Sequence, residues 1–180
     1  MKKAIFLDRD GVINKIFMKN GIPFSPPSFA ELKILPGVKE SILILHKMNF
    51  VCLVVTNQPD ASRGKIEKKT IIQMNNYLKD EIKFDDIFVC YHDDHDNCNC
   101  RKPKAGLLLE AGKKWDIDLK KSYMIGDRWK DIEAGKRAGC KTIFIDLNYK
   151  EAKPKNPDFT TDSLFSSVHL IEELQSKKKI

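Results

Sequence analysis

Five short apolar runs, each closed by polar residues, recur along this chain: AIFLD (4–8), VCLVVTN (51–57), DIFVC (86–90), SYMIGD (122–127) and KTIFID (141–146). Continuous apolar runs of that length suit strands covered on both faces. Helical periodicity separates them. In 36–48 a Pro-Gly breaker precedes Val38, Ile42 and Leu45, and in 65–82 Ile71, Met74 and Leu78 line one side. Further helices are expected over 104–115, over 130–139 with Gly139 as the terminal cap, and over roughly 163–175. Strands alternating with helices predict an α/β fold built on a doubly wound parallel sheet with helices on both faces. A chain of 180 residues is long enough for one domain with a proper core, and 1–180 reads as that, with no large cap domain and a small insert at about 90–103. Stretches 14–35 and 147–162 read as loops, the second as a surface connection.

The polar residues that close the strands carry the chemistry. Asp8 and Asp10 are two apart, so on a strand they point the same way, and Gly11 lets the chain turn away. Two carboxylates so placed repel unless a cation compensates, and a hard divalent ion such as Mg²⁺ does so with oxygen ligands. Taken alone, a D-x-D-G stretch is more often a turn cap beside a solvated acid. The other strand ends change that balance. One closes on Thr56, Asn57 and Gln58, a hydroxyl followed by backbone N–H groups that suit phosphate oxygens. Another closes on Gly126-Asp127, with Asp131 four residues on. In a doubly wound sheet ligands bind beyond the carboxyl ends of the strands, where the winding reverses. Three polar clusters are therefore expected to meet at one place.

The segment CYHDDHDNCNCRKP holds Cys90, His92, Cys98 and Cys100. Three thiols and an imidazole make a closed tetrahedral set, the donor pattern of a structural Zn²⁺. His95 is the alternative imidazole, and free surface thiols are the bland reading. Such a metal would fix a loop with little apolar content and present Arg101 and Lys102, which follow Cys100 directly. Cys52 and Cys140 read as packing residues.

The ordered set FLDRDGVIN, VVTNQ, CRKP and GDRWKD resembles the four motifs of the haloacid dehalogenase (HAD) superfamily of phosphohydrolases, across about residues 4–146. The resemblance implies a Rossmann-like core, with Asp8 as the nucleophile that forms an aspartyl-phosphate and Asp10 as acid and then base. It implies that Thr56 and Lys102 hold the phosphoryl group. It also implies that Asp8, the main-chain carbonyl of Asp10 and Asp127 bind catalytic Mg²⁺, with Asp131 orienting a metal water or Lys102. The cysteine cluster beside CRKP, with SRGK (62–65), is similar to the subgroup of D-glycero-D-manno-heptose 1,7-bisphosphate 7-phosphatases and histidinol-phosphate phosphatases. By that likeness Asn57, Gln58, Arg101, Lys102 and Arg128 are substrate-binding positions. Val12, residues 59–62, Arg128 and the stretch 15–29 depart from the subgroup's usual pattern, all where a sugar would be gripped.

Composition excludes other classes. Apolar residues make up 42% and charged residues 32%, which suits a globular chain, and no apolar run reaches the roughly 20 residues of a membrane span. The patch after the first lysines is too short for a secretion signal and the cysteine number is odd, so a cytoplasmic protein without disulfides is expected. The net charge of +7 is spread over helix faces and the tail SKKKI. A small phosphorylated sugar is the expected partner of a monomer, with neither a membrane nor a nucleic acid. Histidinol phosphate, a nucleic-acid end, and a zinc-stabilised binding module without turnover are the competing readings.

Overall fold

The computed structural model describes residues 1–177, and the last three residues of the basic tail lie outside them. In chain order come β1 (Lys3–Leu7), β2 (Phe17–Lys19), β3 (Ile22–Phe24), α1 (Val38–Lys47), β4 (Phe50–Asn57), α2 (Lys68–Ile82) and β5 (Asp86–Cys90). These are followed by α3 (Gly106–Trp115), β6 (Tyr123–Gly126), α4 (Trp129–Ala138), β7 (Lys141–Ile145), β8 (Phe159–Thr161) and α5 (Leu164–Ser176). Six strands form one parallel sheet in the order β5-β4-β1-β6-β7-β8. The chain winds outward from β1 through β4 to β5, then returns to the other side of β1 and runs out through β6, β7 and β8. The winding reverses between β1 and β6, and the Asp8 N–H donates to the Ile125 carbonyl across that seam at 3.0 Å.

Burial on both faces explains the lack of polar alternation in the strands. Along β1, Ile5 and Leu7 enter one core with α1 (Val38, Ile42, Leu45) and α5 (Leu164, Val168, Ile171). Ala4 and Phe6 enter the other, with Leu107, Leu108 and Ala111 of α3 and Ala134 and Ala138 of α4. Each fully buried aliphatic side chain contributes about 1.5–3 kcal/mol, so the central strands are held from both sides.

The expected helices all form, within three residues of their expected bounds, and Gly139 closes α4 in the left-handed region at φ +82°. Two stretches differ from expectation. Within 14–35, β2 and β3 pair as an antiparallel hairpin, Phe17 opposite Phe24 and Lys19 opposite Ile22. Its turn is Asn20-Gly21, with φ +55° and +81°, the residue pair that suits a two-residue hairpin turn. Within 147–162, β8 adds an edge strand to β7. Among the described residues no helix is long and apolar enough to cross a membrane.

Helix α4 lies close on the sheet because Gly135 has no side chain: a Cβ there would stand 2.6 Å from the Met124 Cβ and 2.9 Å from the Thr142 Cγ2. Gly135→Ala is therefore expected to destabilise by about 1–3 kcal/mol through overpacking, although in an exposed helix it would gain about 1 kcal/mol. Urea unfolding of the two proteins measures the sign, and a gain in stability would mean that α4 does not pack this closely.

Candidate active site

The three strand ends converge as expected. Asp8 follows β1, Asp127 follows β6, and Asp131 sits in the first turn of α4, where its carboxylate accepts from the Arg128 N–H at 3.0 Å. Carboxylate oxygens of these three residues lie within 4.8 Å of one another. Gly126 allows this approach, since a Cβ there would be 2.2 Å from the Cβ of Asp131. The Lys102 ammonium stands between two of the acids, 2.9 Å from Asp8 Oδ1 and 2.6 Å from Asp131 Oδ1, and is 1% exposed. The backbone of Lys102 is tied to the end of β4: its N–H donates to Asn57 Oδ1 at 3.1 Å, and Asn57 Nδ2 donates to its carbonyl at 3.0 Å. Asn57 is thus the bracket that carries Lys102 as well as part of the cavity wall.

Asp10 has a different environment. Its strand has already ended at Leu7, so its direction is set by contacts rather than by strand alternation. Its carboxylate accepts from Arg9 Nε and Nη2, Asn14 Nδ2, Ser25 Oγ and Gln58 Nε2, at 2.7–3.2 Å. Arg9 is itself buried and donates through Nη1 to Asn75 Oδ1 at 2.9 Å. Gln58 also donates to Thr56 Oγ1 at 2.9 Å, which joins the second strand end to Asp10.

The two aspartates of the DRD stretch consequently differ in acidity. Burial pushes Asp8 up to about 6 despite the opposing charge of Lys102. Burial also acts on Asp10, but the Arg9 guanidinium and the hydrogen bonds from Asn14, Gln58 and Ser25 outweigh it and hold the carboxyl below its usual value. Asp127 is raised well above the ordinary carboxylate range by burial and by the neighbouring Asp131 and Asp8. Lys102 is raised to about 12, because Asp131 and Asp8 outweigh the penalty of burial. Three buried carboxylates thus share one buried ammonium, and Asp127 Oδ1 is buried without a hydrogen-bond partner. An excess of hard oxygen donors with one lone pair unsatisfied fits a divalent cation.

Asp8, Asp10, Asn57, Lys102, Asp127 and Asp131 line a cavity of about 290 Å³, together with Arg101 and Arg128. Thr56 and Gln58 are buried next to it. One wall is the β2–β3 hairpin and the residues that flank it, including Ile16, Ile22 and Phe24. The cations facing the cavity are paired with acids. Arg128 is engaged by Glu151, Arg101 Nε donates to Asp94 at 2.7 Å, and Arg63 grips Asp93 through two hydrogen bonds of 2.5 and 2.6 Å. Sequence reasoning missed Arg9, Ser25, Tyr149 and Glu151. Tyr149 Oη donates to Asp127 Oδ2 at 2.5 Å, so 147–162 is more than a surface connection.

Cys90, His92, Cys98 and Cys100 form a second cluster, with their ligand atoms within 4.8 Å of one another. The Sγ–Sγ separations are 3.2, 3.4 and 3.7 Å, and His92 Nδ1 lies 3.3 Å from Cys100 Sγ and 3.7 Å from Cys90 Sγ. A tetrahedron with zinc–sulfur bonds of about 2.3 Å has edges of roughly 3.7 Å, so the donors are spaced for one such ion. The structure brings His92 to the thiols, while His95 is exposed beside Asp93 and Asp96.

Residues 99–168 match the HAD-hydrolase-like family model. The D-glycero-beta-D-manno-heptose-1,7-bisphosphate 7-phosphatase of Haemophilus influenzae is 30% identical to the chain, over 97% of this chain and 100% of that protein. The chain belongs to the heptose bisphosphate phosphatase family of HAD-like hydrolases. A Campylobacter jejuni relative, the D-glycero-alpha-D-manno-heptose-1,7-bisphosphate 7-phosphatase, is 36% identical over 79% of this chain and 81% of that protein. In structure, the D,D-heptose 1,7-bisphosphate phosphatase of B. bronchiseptica, complexed with magnesium and phosphate, superimposes with a TM-score of 0.79 at 25% identity, covering 95% of this chain and 98% of that one.

The Arg9–Asp10 pair is buried deeply enough to matter for stability. Arg9→Met is expected to cost about 3 kcal/mol, the low end for breaking a buried ion pair, because three hydrogen-bond donors remain on Asp10. Denaturant unfolding checks this, and a loss below about 1 kcal/mol would place the pair in the class of solvated surface bridges.

Proposed function

We propose that this protein removes the 7-phosphate of D-glycero-D-manno-heptose 1,7-bisphosphate, with Asp8 as the nucleophile. The observation that carries the reading is the buried cluster of Asp8, Asp127 and Asp131, with Lys102 held between Asp8 and Asp131, in a cavity sized for a small phosphorylated sugar. Family membership supplies the sugar. The named relatives include both anomers, so the configuration at C1 is left to the substrate screen below.

Asp8, the main-chain carbonyl of Asp10 and Asp127 would hold Mg²⁺. When bound, the ion offsets the negative charge gathered between a phosphate and the Asp8 carboxylate. Lys102 supplies fixed positive charge at the same point, and Thr56 offers a hydroxyl to a phosphoryl oxygen. An Asp8 oxygen attacks phosphorus in line as the bond to the C7 oxygen breaks, giving an aspartyl-phosphate. Asp10 gives its proton to the departing oxygen, then takes one from the water that hydrolyses the aspartyl-phosphate. The donors around Asp10 favour its ionised form, which the second step needs. For the first step Asp10 must carry the proton, and Ser25 is the hydroxyl beside it that can turn from donor to acceptor. The cations on the cavity wall favour a second phosphate over the amine of histidinol phosphate, and the complete Asp8–Asp10–Lys102 set has no use in a binding module.

We further infer that Cys90, His92, Cys98 and Cys100 hold a structural Zn²⁺. The segment that follows, Arg101-Lys102, is thereby fixed against β4 through Asn57.

Phosphate release from the α and β heptose bisphosphates and from histidinol phosphate tests the assignment. Asp8→Asn is expected to lower turnover of the heptose substrate by at least about a thousandfold while circular dichroism and zinc content stay unchanged. Turnover near the wild-type rate would remove Asp8 from the role of nucleophile. A Cys98→Ala, Cys100→Ala double variant is expected to lose its zinc, measured by elemental analysis, and to melt at lower temperature. Retention of zinc would refute this ligand set.

A further inference from the structure

Asp127 presents its two carboxylate oxygens to different surroundings. Oδ1 is buried and has no hydrogen-bond partner, whereas Oδ2 accepts from the Tyr149 hydroxyl at 2.5 Å. The bond lies against the backbone of Gly11: a Cβ there would stand 2.0 Å from Asp127 Oδ2 and 2.9 Å from Tyr149 Oη. Gly11 therefore leaves the room in which tyrosine meets carboxylate. Tyr149 is not a loose loop residue. The next residue, Lys150, donates its N–H to the Gly21 carbonyl in the hairpin turn at 3.0 Å, and Glu151 grips Arg128, with Nε to Oε2 at 2.9 Å. Three consecutive residues thus tie one loop to the carboxylate, to the hairpin wall and to a cation of the cavity.

We propose that Tyr149 is a positioning residue that fixes Asp127 for the divalent cation, a role that rests on the phosphatase reading above. A carboxylate can turn about its Cβ–Cγ bond and present either oxygen, or both. With Oδ2 held by a phenol, only Oδ1 is left to face an ion, and that oxygen is the one without a partner. Groups that orient a metal ligand in this way typically set metal affinity by ten- to a hundredfold. Tyr149 does not line the cavity and its hydroxyl bonds to Asp127, so its effect passes through Asp127.

Calorimetric titration of the purified full-length protein with Mg²⁺ alone, without substrate, tests this on wild type, Tyr149→Phe and Asp127→Asn. Tyr149→Phe removes one hydroxyl and keeps the ring. It is expected to weaken Mg²⁺ binding by about 10–100-fold. At saturating Mg²⁺ its KM for the phosphorylated substrate should stay within about twofold of wild type. Asp127→Asn is expected to abolish measurable binding. Unchanged Mg²⁺ affinity in Tyr149→Phe, together with loss in Asp127→Asn, overturns the role of Tyr149 and leaves the phosphatase assignment standing. Unchanged affinity in Asp127→Asn overturns the metal assignment of Asp127 and, with it, this proposal.

Discussion

The buried ammonium of Lys102 holds the site together. A lysine taken out of water loses several kcal/mol of hydration, and Asp8 and Asp131 offset this at 2.9 and 2.6 Å. Removing Lys102 would leave the buried carboxylates of Asp8, Asp127 and Asp131 without their counter-charge. That constraint explains the geometry around it. Asp8 and Asp131 arrive from opposite sides of the winding reversal, just after β1 and in α4, and Lys102 arrives from the segment after β5. Asn57 holds the Lys102 backbone by one bond in each direction, so the end of β4 sets the height of the ammonium above the sheet. The cysteine cluster ends at Cys100, two residues before it. Each of these features serves to deliver one charge to one point.

The cavity wall follows the same logic in weaker form. Arg63, Arg101 and Arg128 each face an acid: Asp93, Asp94 and Glu151. These acids keep long cationic side chains extended toward the cavity, which lowers the entropy a bound anion must remove. They also compete with that anion. Asp94 is the most open of the three, with a side chain 67% exposed, so exchanging it for a phosphate group costs the least desolvation. Glu151 lies deeper against Arg128 and joins it to the loop that carries Tyr149.

How much of this was legible in the sequence depended on whether a residue acts through a local pattern. The five buried strands could be read because apolar runs covered on both faces leave a continuous signature, and the helices because Val38, Ile42 and Leu45 or Ile71, Met74 and Leu78 repeat with the helical period. Asp8, Asp127 and Lys102 could be found because they close strands or follow a cysteine cluster. The hairpin was written in Asn20-Gly21, a turn signal overshadowed by the prolines that follow it. Tyr149 and Glu151 carried no such signal. They reach the site only because the chain after β7 folds back over it, a long-range contact that neither periodicity nor spacing encodes. Arg9 was hidden differently. A basic residue between two aspartates reads as a solvated partner, yet here it is the cation that holds one of them in the interior.

That placement gives two aspartates two residues apart opposite character. Asp8 faces a buried cluster with a surplus of carboxylates and rises to about 6, while Asp10 faces a guanidinium and three neutral donors and falls. Splitting the acidities of neighbouring carboxylates is how a site assigns one to bond formation and the other to proton traffic. Burial is the main cause that raises Asp8, with Asp131 adding to it, and a divalent ion at the cluster would favour the charged carboxylate that serves as nucleophile. Arg9, from the neighbouring position in the chain, holds Asp10 toward the charged form that the second step needs, without help from any ion. The DRD stretch therefore carries its own counter-charge for one acid and leaves the other to be balanced by what the strand ends assemble.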